Sequence, residues 1–149
     1  RELVESLVAT FNIKYPAKAG FTLEIEEGLT LMTDRMHLSN IVGNLIDNAI
    51  KYSHGDADVT VRAYGGKKED VVIEVEDNGI GITHAQQKFI FDKFYRVPHG
   101  NLHDVKGYGL GLFYVKSMTE MLHGTVNVRS VYGKGSCFIL KFKEVYDQM

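Results

Sequence analysis

Asp34-Arg35-Met36-His37-Leu38-Ser39-Asn40-Ile41-Val42-Gly43-Asn44-Leu45-Ile46-Asp47-Asn48-Ala49-Ile50-Lys51-Tyr52 carries two patterns at once. Leu38, Ile41, Val42, Leu45 and Ala49 recur at helical spacing and define an apolar face, while Asn40, Asn44, Asp47, Asn48 and Lys51 define a polar one. A long helix is predicted over this stretch. Asn44, Asn48 and Lys51 stand at i, i+4 and i+7, which sets two amides and an ammonium in a single row. Amide oxygen is a hard ligand that Mg²⁺ accepts alongside water and phosphate oxygens, and a lysine neutralises phosphate charge. Polar stripes more often simply face water, so the row alone leaves a metal-phosphate site and a solvated face both open.

Upstream, Leu3, Val4, Leu7, Val8 and Phe11 have helical spacing, and Phe21, Leu23 and Ile25 alternate as in a strand. The apolar stripe is already running at Arg1, so the natural protein is expected to continue upstream, with residues 1–18 the tail of a preceding linker or helix. Downstream, Val59, Val61 and Ala63 alternate, Gly65-Gly66 supplies a turn, and Val71, Ile73 and Val75 resume the alternation as an antiparallel partner. Thr83 and Gln86 have capping-box spacing and open a short helix toward Phe94. Val97 to Lys106 lacks periodicity and reads as a loop. A second long helix is predicted from about Leu110 to Leu122, with Leu112, Val115, Met118, Thr119 and Leu122 inward and Gly124 as its stop. Val126, Val128 and Ser130, then Phe138, Leu140 and Phe142, form a closing hairpin around Tyr132-Gly133-Lys134-Gly135. Helices and mostly antiparallel strands in two layers follow.

The 149 residues suit one domain, and a net charge of −2 offers no field for nucleic acid or an anionic membrane. The single cysteine, Cys137, excludes an internal disulfide and reads as a small core residue. Lys67-Lys68-Glu69-Asp70 reads as a solvated turn.

Three further stretches carry chemistry. Glu76-Asp77-Asn78-Gly79-Ile80-Gly81-Ile82 leaves a predicted strand with a carboxylate suited to accept from an exocyclic amine such as adenine N6, beside glycines that admit a flat ligand; an Asn-Gly turn is the alternative. Gly107-Tyr108-Gly109-Leu110-Gly111 precedes a helix, where free N–H groups suit a phosphate, although a plain hinge reads equally well. Phe89, Phe91, Phe94 and Tyr95 read as core or lid packing.

Order and spacing then join these motifs. Asn44 to Ser53 resembles the N box of bacterial sensor histidine kinases, Asp77 to Ile82 their first glycine box, Phe89 to Val97 the F box, Gly107 to Leu112 the second glycine box, and Gly133 to Phe138 the third. The resemblance spans about Phe21 to Lys143. It implies an α+β fold of the Bergerat type, a two-layer sandwich whose mixed, mostly antiparallel sheet is backed by helices, with residues 1–149 forming one ATP-binding catalytic domain.

By matching position, the resemblance implies that Asn48 is a magnesium ligand, with Asn44 close to the same ion, and that Lys51 contacts phosphate. Tyr52 is implied to lie beside the adenine, Asp77 to read it, Gly79, Ile80, Gly81 and Ile82 to line it, and Ser136 to hold a water there. Gly107, Tyr108, Gly109, Leu110, Gly111 and Leu112 are implied to meet the phosphates under the lid, and Lys93 or Arg96, more so Arg96, the γ-phosphate. ATP-hydrolysing relatives such as gyrase, the mismatch-repair clamp and the ninety-kilodalton chaperone place a Glu one turn before the metal-binding Asn. This chain has Asn44 there, and an amide cannot take a proton from water at neutral pH. ATP is therefore expected to await an external nucleophile.

None of His37, His54, His84, His99, His103 and His123 has the setting of the family's acceptor. His103-Asp104 begins like it but runs into Gly107 without a proline. The implied partners are a helical dimerisation and histidine-acceptor domain of the same protein and a downstream response regulator. The implied setting is a cytoplasmic domain, monomeric alone, of a homodimeric parent attached to the inner membrane. A serine kinase of the anti-sigma type and an ATP-operated switch are the competing readings.

Overall fold

The computed structural model describes residues 1–53, 55–95 and 111–143. Arg96, the expected lid Val97 to Lys106 with His99 and His103, and Gly107, Tyr108, Gly109 and Leu110 lie outside the described residues, as does His54. The chain runs α1 (Glu2–Lys14), β1 (Ala19–Ile25), α2 (Arg35–Lys51), β2 (Ala57–Gly65), β3 (Val71–Asp77), α3 (His84–Gln87), α4 (Gly111–Met121), β4 (Gly124–Val131) and β5 (Gly135–Phe142).

The strands form a five-stranded sheet in the order β1-β2-β3-β5-β4. β1 and β2 are parallel, as the crossover through α2 requires, and the other pairs are antiparallel. Register places Val61 opposite Val75 and Val75 opposite Phe138, which aligns the inward rows of three strands. α2 packs over β2 and β3, and α1 and α4 pack on α2 in turn. Ile46 and Ile50, outside the apolar face read from periodicity, are therefore buried along with Ile41, Val42 and Leu45. Each such burial contributes about 1.5–3 kcal/mol. Val4 and Phe11 carry α1 into the same core.

Local signals explain two helix starts. The Asp34 carboxylate accepts from the His37 N–H at 2.9 Å and starts α2. Thr83 caps α3 by accepting from the Gln86 N–H at 3.4 Å, but α3 stops at Gln87 rather than continuing toward Phe94. Ile90 is instead turned into the core, Phe91 meets Phe138 edge-on at 6.2 Å between ring centres, and Phe94 takes a left-handed φ of 66°. After α4 the left-handed residue is His123, at φ 65°, not Gly124. Gly124 belongs to β4 because a Cβ there would lie 2.7 Å from Phe142 Cδ1 and 2.8 Å from the Lys141 carbonyl oxygen. A packing glycine had the appearance of a helix stop.

Cys137 is buried, though on the sheet face turned away from the helices and outside the main core cluster. There its Sγ donates to Glu74 Oε1 at 3.4 Å, and burial pushes the thiol up to about 11. Burial works against the Glu74 carboxylate, but hydrogen bonds from Tyr64 and Cys137, with the charges of Arg129 and Arg62, hold it below its usual range.

Candidate functional site

α2 delivers its amide row to the start of α4. Asn44 Nδ2 donates to the Asn40 carbonyl oxygen at 2.8 Å, which commits the amine end of that amide and leaves Oδ1 outward. That Oδ1 lies 3.4 Å from where a Cβ on Gly111 would sit. A bulkier residue would crowd the junction of the two helices. The half-buried Asn48 side chain makes no hydrogen bond among the described residues, which leaves a hard oxygen acceptor beside Asn44. Lys51 Nζ lies 2.7 Å from Asp47 Oδ2, one turn earlier on the same helix.

Tyr52 then links the row to the strand-end loop. Its carbonyl oxygen accepts from the Ile80 N–H at 3.0 Å. Gly79 sits so close to that oxygen that a Cβ would stand 2.6 Å away, and a Cβ on Gly81, at φ +74°, would stand 2.3 Å from the Val131 carbonyl oxygen. The immediate neighbours that demand glycine at both positions are thus protein backbone.

Asp77 lies at the end of β3 and is pinned through one oxygen. Oδ1 accepts from the Gly79 N–H at 2.9 Å and from the Ser136 N–H at 3.2 Å. Oδ2 has no partner among the described residues. Burial raises the carboxyl above its ordinary value, with Glu76 adding to the rise and the two N–H groups opposing it. The result is a partly desolvated acceptor, fixed in orientation, with one free oxygen.

The surrounding loop is tied at nearly every residue. Asn78 Oδ1 accepts from the Asp58 N–H at 2.9 Å, and the Ile80 carbonyl accepts from the Gly133 N–H at 2.6 Å. Ser130 Oγ accepts from the Ile82 N–H at 2.7 Å and donates to the Gly135 carbonyl at 3.0 Å, so the Ser136 hydroxyl is the donor in its 2.8 Å bond to Ser130 Oγ. Gln87 Nε2 donates to the carbonyls of Ile82 and Ser130 at 3.0 and 3.2 Å. Ser136 is buried, so its backbone N–H acts on Asp77 while its hydroxyl is engaged with a neighbour.

Among the other residues singled out by sequence, Ile80 is buried, and Ile82 and Leu112 pack against the core cluster. Lys93 Nζ stands over the rings of Phe94 and Phe113, 5.2 and 5.7 Å from their centres, which brings it to the first turn of α4 beside Gly111. Arg96, Gly107, Tyr108, Gly109 and Leu110 are not placed. Sequence reasoning gave no role to Asp47, Asn78, Gln87 or Ser130. Only the first had a local signal, its i, i+4 spacing to Lys51. Among the described residues no group of three or more His, Cys, Asp or Glu could hold a metal, so a cation here would rest on amide oxygens and on oxygens brought by a ligand.

Residues 33–145 match the sequence family described as histidine kinase-, DNA gyrase B-, and HSP90-like ATPase. The sensor protein RprX of Bacteroides fragilis is 41% identical over 144 residues, a match covering 93% of this chain and 27% of that protein. The sensor histidine kinase YclK of Bacillus subtilis is 33% identical over 120 residues, covering 80% of this chain and 25% of that protein. The chain thus spans about a quarter of the length of these curated relatives. The solved catalytic domain of histidine kinase ThkA superposes with a TM-score of 0.81 at 22% identity, over 96% of this chain and 92% of that one, and so shares its fold.

Proposed function

The chain belongs to the family of histidine kinase-, DNA gyrase B- and HSP90-like ATPases, and on that premise we propose that it is the ATP-binding catalytic domain of a two-component sensor histidine kinase. It transfers the γ-phosphoryl of ATP to a histidine on a helical dimerisation domain of the same protein, which then serves a response regulator. The parent acts as a homodimer attached to the inner membrane, with this domain on the cytoplasmic side; no helix among the described residues is long and apolar enough to cross a bilayer.

The observation that carries this reading is the Asp77 carboxylate, locked through Oδ1 by two backbone N–H groups, with Oδ2 free and a single loop separating it from the amide row of α2. An exocyclic amine donating to Oδ2 selects adenine over a base that presents a carbonyl there, because a mismatched base would leave a desolvated acceptor facing an acceptor. The triphosphate then extends past Tyr52 toward Asn48, Asn44 and Gly111, with Lys51, Lys93 and Arg96 as its cations.

The donor set fits a magnesium ion held by Asn48 and Asn44, since both amides keep an oxygen free of partners among the described residues. Bound Mg²⁺ supplies neutralisation of phosphate charge. The chain's own residues do the rest by alignment. No general base stands at position 44, and the nearest carboxylate on α2, Asp47, is engaged by Tyr15, Lys14 and Lys51. General-base activation of water is therefore not expected from position 44, and the γ-phosphoryl awaits the histidine.

Incubating the chain with γ-labelled ATP, Mg²⁺ and a helical hairpin bearing an acceptor histidine tests this. Label on the hairpin is expected. Saturable ATP binding with no label on a competent acceptor would contradict phosphotransfer and leave an ATP-operated switch.

A further inference from the structure

Asp47 ties α2 to the end of α1 through polar side chains. Its Oδ2 pairs with Lys51 at 2.7 Å, while Oδ1 accepts from the Tyr15 hydroxyl at 2.9 Å and lies 3.7 Å from Lys14 Nζ. Lys14 closes α1 and Tyr15 is its C-cap residue, so both donors arrive from another helix. The carboxylate is largely shielded, with 19% of its side chain exposed, against 35% for Lys51 and 59% for Lys14. Tyr15 is no loose surface group. Its ring lies parallel to the buried Phe11, with 6.3 Å between ring centres, and its backbone N–H donates to the Phe11 carbonyl oxygen at 2.8 Å. Burial, then the bond to Asp47, pushes its hydroxyl up to about 12, so it stays protonated and donating throughout the neutral range.

We infer that Tyr15, assisted by Lys14, is a positioning residue for the phosphate grip, acting through Asp47 on Lys51. This rests on the reading that Lys51 contacts the nucleotide phosphates. To reach a phosphate, Lys51 must loosen its pair with Asp47. A shielded carboxylate that loses its nearest cation resists that move unless other groups satisfy it, because an uncompensated charge away from water is costly. The Tyr15 hydroxyl and Lys14 keep Asp47 satisfied through its other oxygen, so Lys51 can be released or shared. The seating of α1 thereby sets how readily Lys51 turns to the ligand, and a shift of α1 would be felt at the phosphates without touching the adenine end.

The test compares ATP with adenosine, which lacks the phosphates, by calorimetry in the presence of Mg²⁺. Tyr15→Phe removes the hydroxyl and retains the ring that stacks on Phe11. The expected result is adenosine affinity unchanged and ATP affinity weakened about 3- to 10-fold. In an Asp47→Asn background, Tyr15→Phe should have no further effect on the ratio of the two affinities. An unchanged ratio in Tyr15→Phe, including the case where both ligands weaken together because the fold has loosened, would overturn the coupling. So would an equal fall in the Asp47→Asn background. Lys51→Met separates the two levels of the argument: if it leaves the ratio intact, the placement of Lys51 at the phosphates is wrong and the coupling falls with it. If Lys51→Met lowers the ratio and Tyr15→Phe does not, only the coupling is refuted.

Discussion

The two ends of the site are built differently. At the strand end, the loop from Asp77 to Ile82 is held by backbone N–H groups, two serine hydroxyls and an amide, and its glycines lie against neighbouring backbone with no room for a Cβ. Along α2, the groups that matter are side-chain tips: an Asn48 amide without a partner among the described residues, an Asn44 oxygen left over from one hydrogen bond, and a lysine paired to its own helix. A flat base has one shape and one hydrogen-bonding edge, so a rigid reader suits it, and preorganisation keeps the ordering cost of binding low. A triphosphate with its ion changes charge and length as the reaction proceeds, so a grip of side-chain tips that can be re-aimed suits it. Damage to the strand-end glycines should therefore reach the fold, whereas trimming a side-chain tip that faces the ligand should reach only the ligand.

The largest effect is expected from Gly135→Ala. At φ +132° its Cβ would stand 2.1 Å from the Asp77 carbonyl oxygen, so the hairpin must move away from Asp77. A loss of about 3–5 kcal/mol is expected in denaturant melts, together with loss of ATP binding. A variant as stable as the parent would show the strand end to be as adaptable as the helix.

Asp77→Asn comes next. Its retained oxygen can still accept from Gly79 and Ser136, so stability should change little, while its new amine faces the amine of adenine. A loss of about 1–3 kcal/mol in ATP affinity is expected by calorimetry.

A pH series sharpens the same point. Because burial raises the folded-state carboxyl of Asp77 above its unfolded value, the stability it contributes is fully present below the unfolded value and is lost as pH rises through the raised one. Adenine binding needs the ionised form and should run the opposite way, falling on acidification sooner than an ordinary aspartate would allow. The Asp77 part of the stability, read as the difference in melting temperature between parent and Asp77→Asn, and the ATP affinity of the parent should thus move in opposite directions with pH.

The smallest stability change belongs to Asn48→Ala. The side chain makes no hydrogen bond among the described residues, so unfolding should shift by no more than about 0.5 kcal/mol, while the Mg²⁺-dependent part of ATP affinity disappears. A strongly destabilised variant would place Asn48 in the scaffold instead of the grip.

Much of this was legible in the sequence, and the rest was hidden for definite reasons. Periodicity located α2, the inward rows of β2, β3 and β5, and the N-cap of α3, because each depends on residues close together in the chain. The order of the motifs singled out Asp77 and the amide row of α2 as one candidate site, and the Tyr52 carbonyl, which accepts from the Ile80 N–H, ties the two stretches together. What periodicity could not show depends on residues far apart. Gly124 resembled a helix stop, and only the approach of Phe142 explains it. The segment after Gln87 looked helical until Ile90 and Phe91 were seen drawn toward the core. Cys137 was buried as expected, but strand parity alone did not reveal Glu74 as its partner. Tyr15 carries no local mark at all, since Asp47 lies 32 residues away.

A crystal structure of the chain with a non-hydrolysable ATP analogue and Mg²⁺ tests the central claim most directly. The account predicts the adenine amine at hydrogen-bonding distance from Asp77 Oδ2 and the cation bound by Asn48 Oδ1, with little movement of residues 77–82. A base bound elsewhere, or a cation held by carboxylates away from α2, would contradict it.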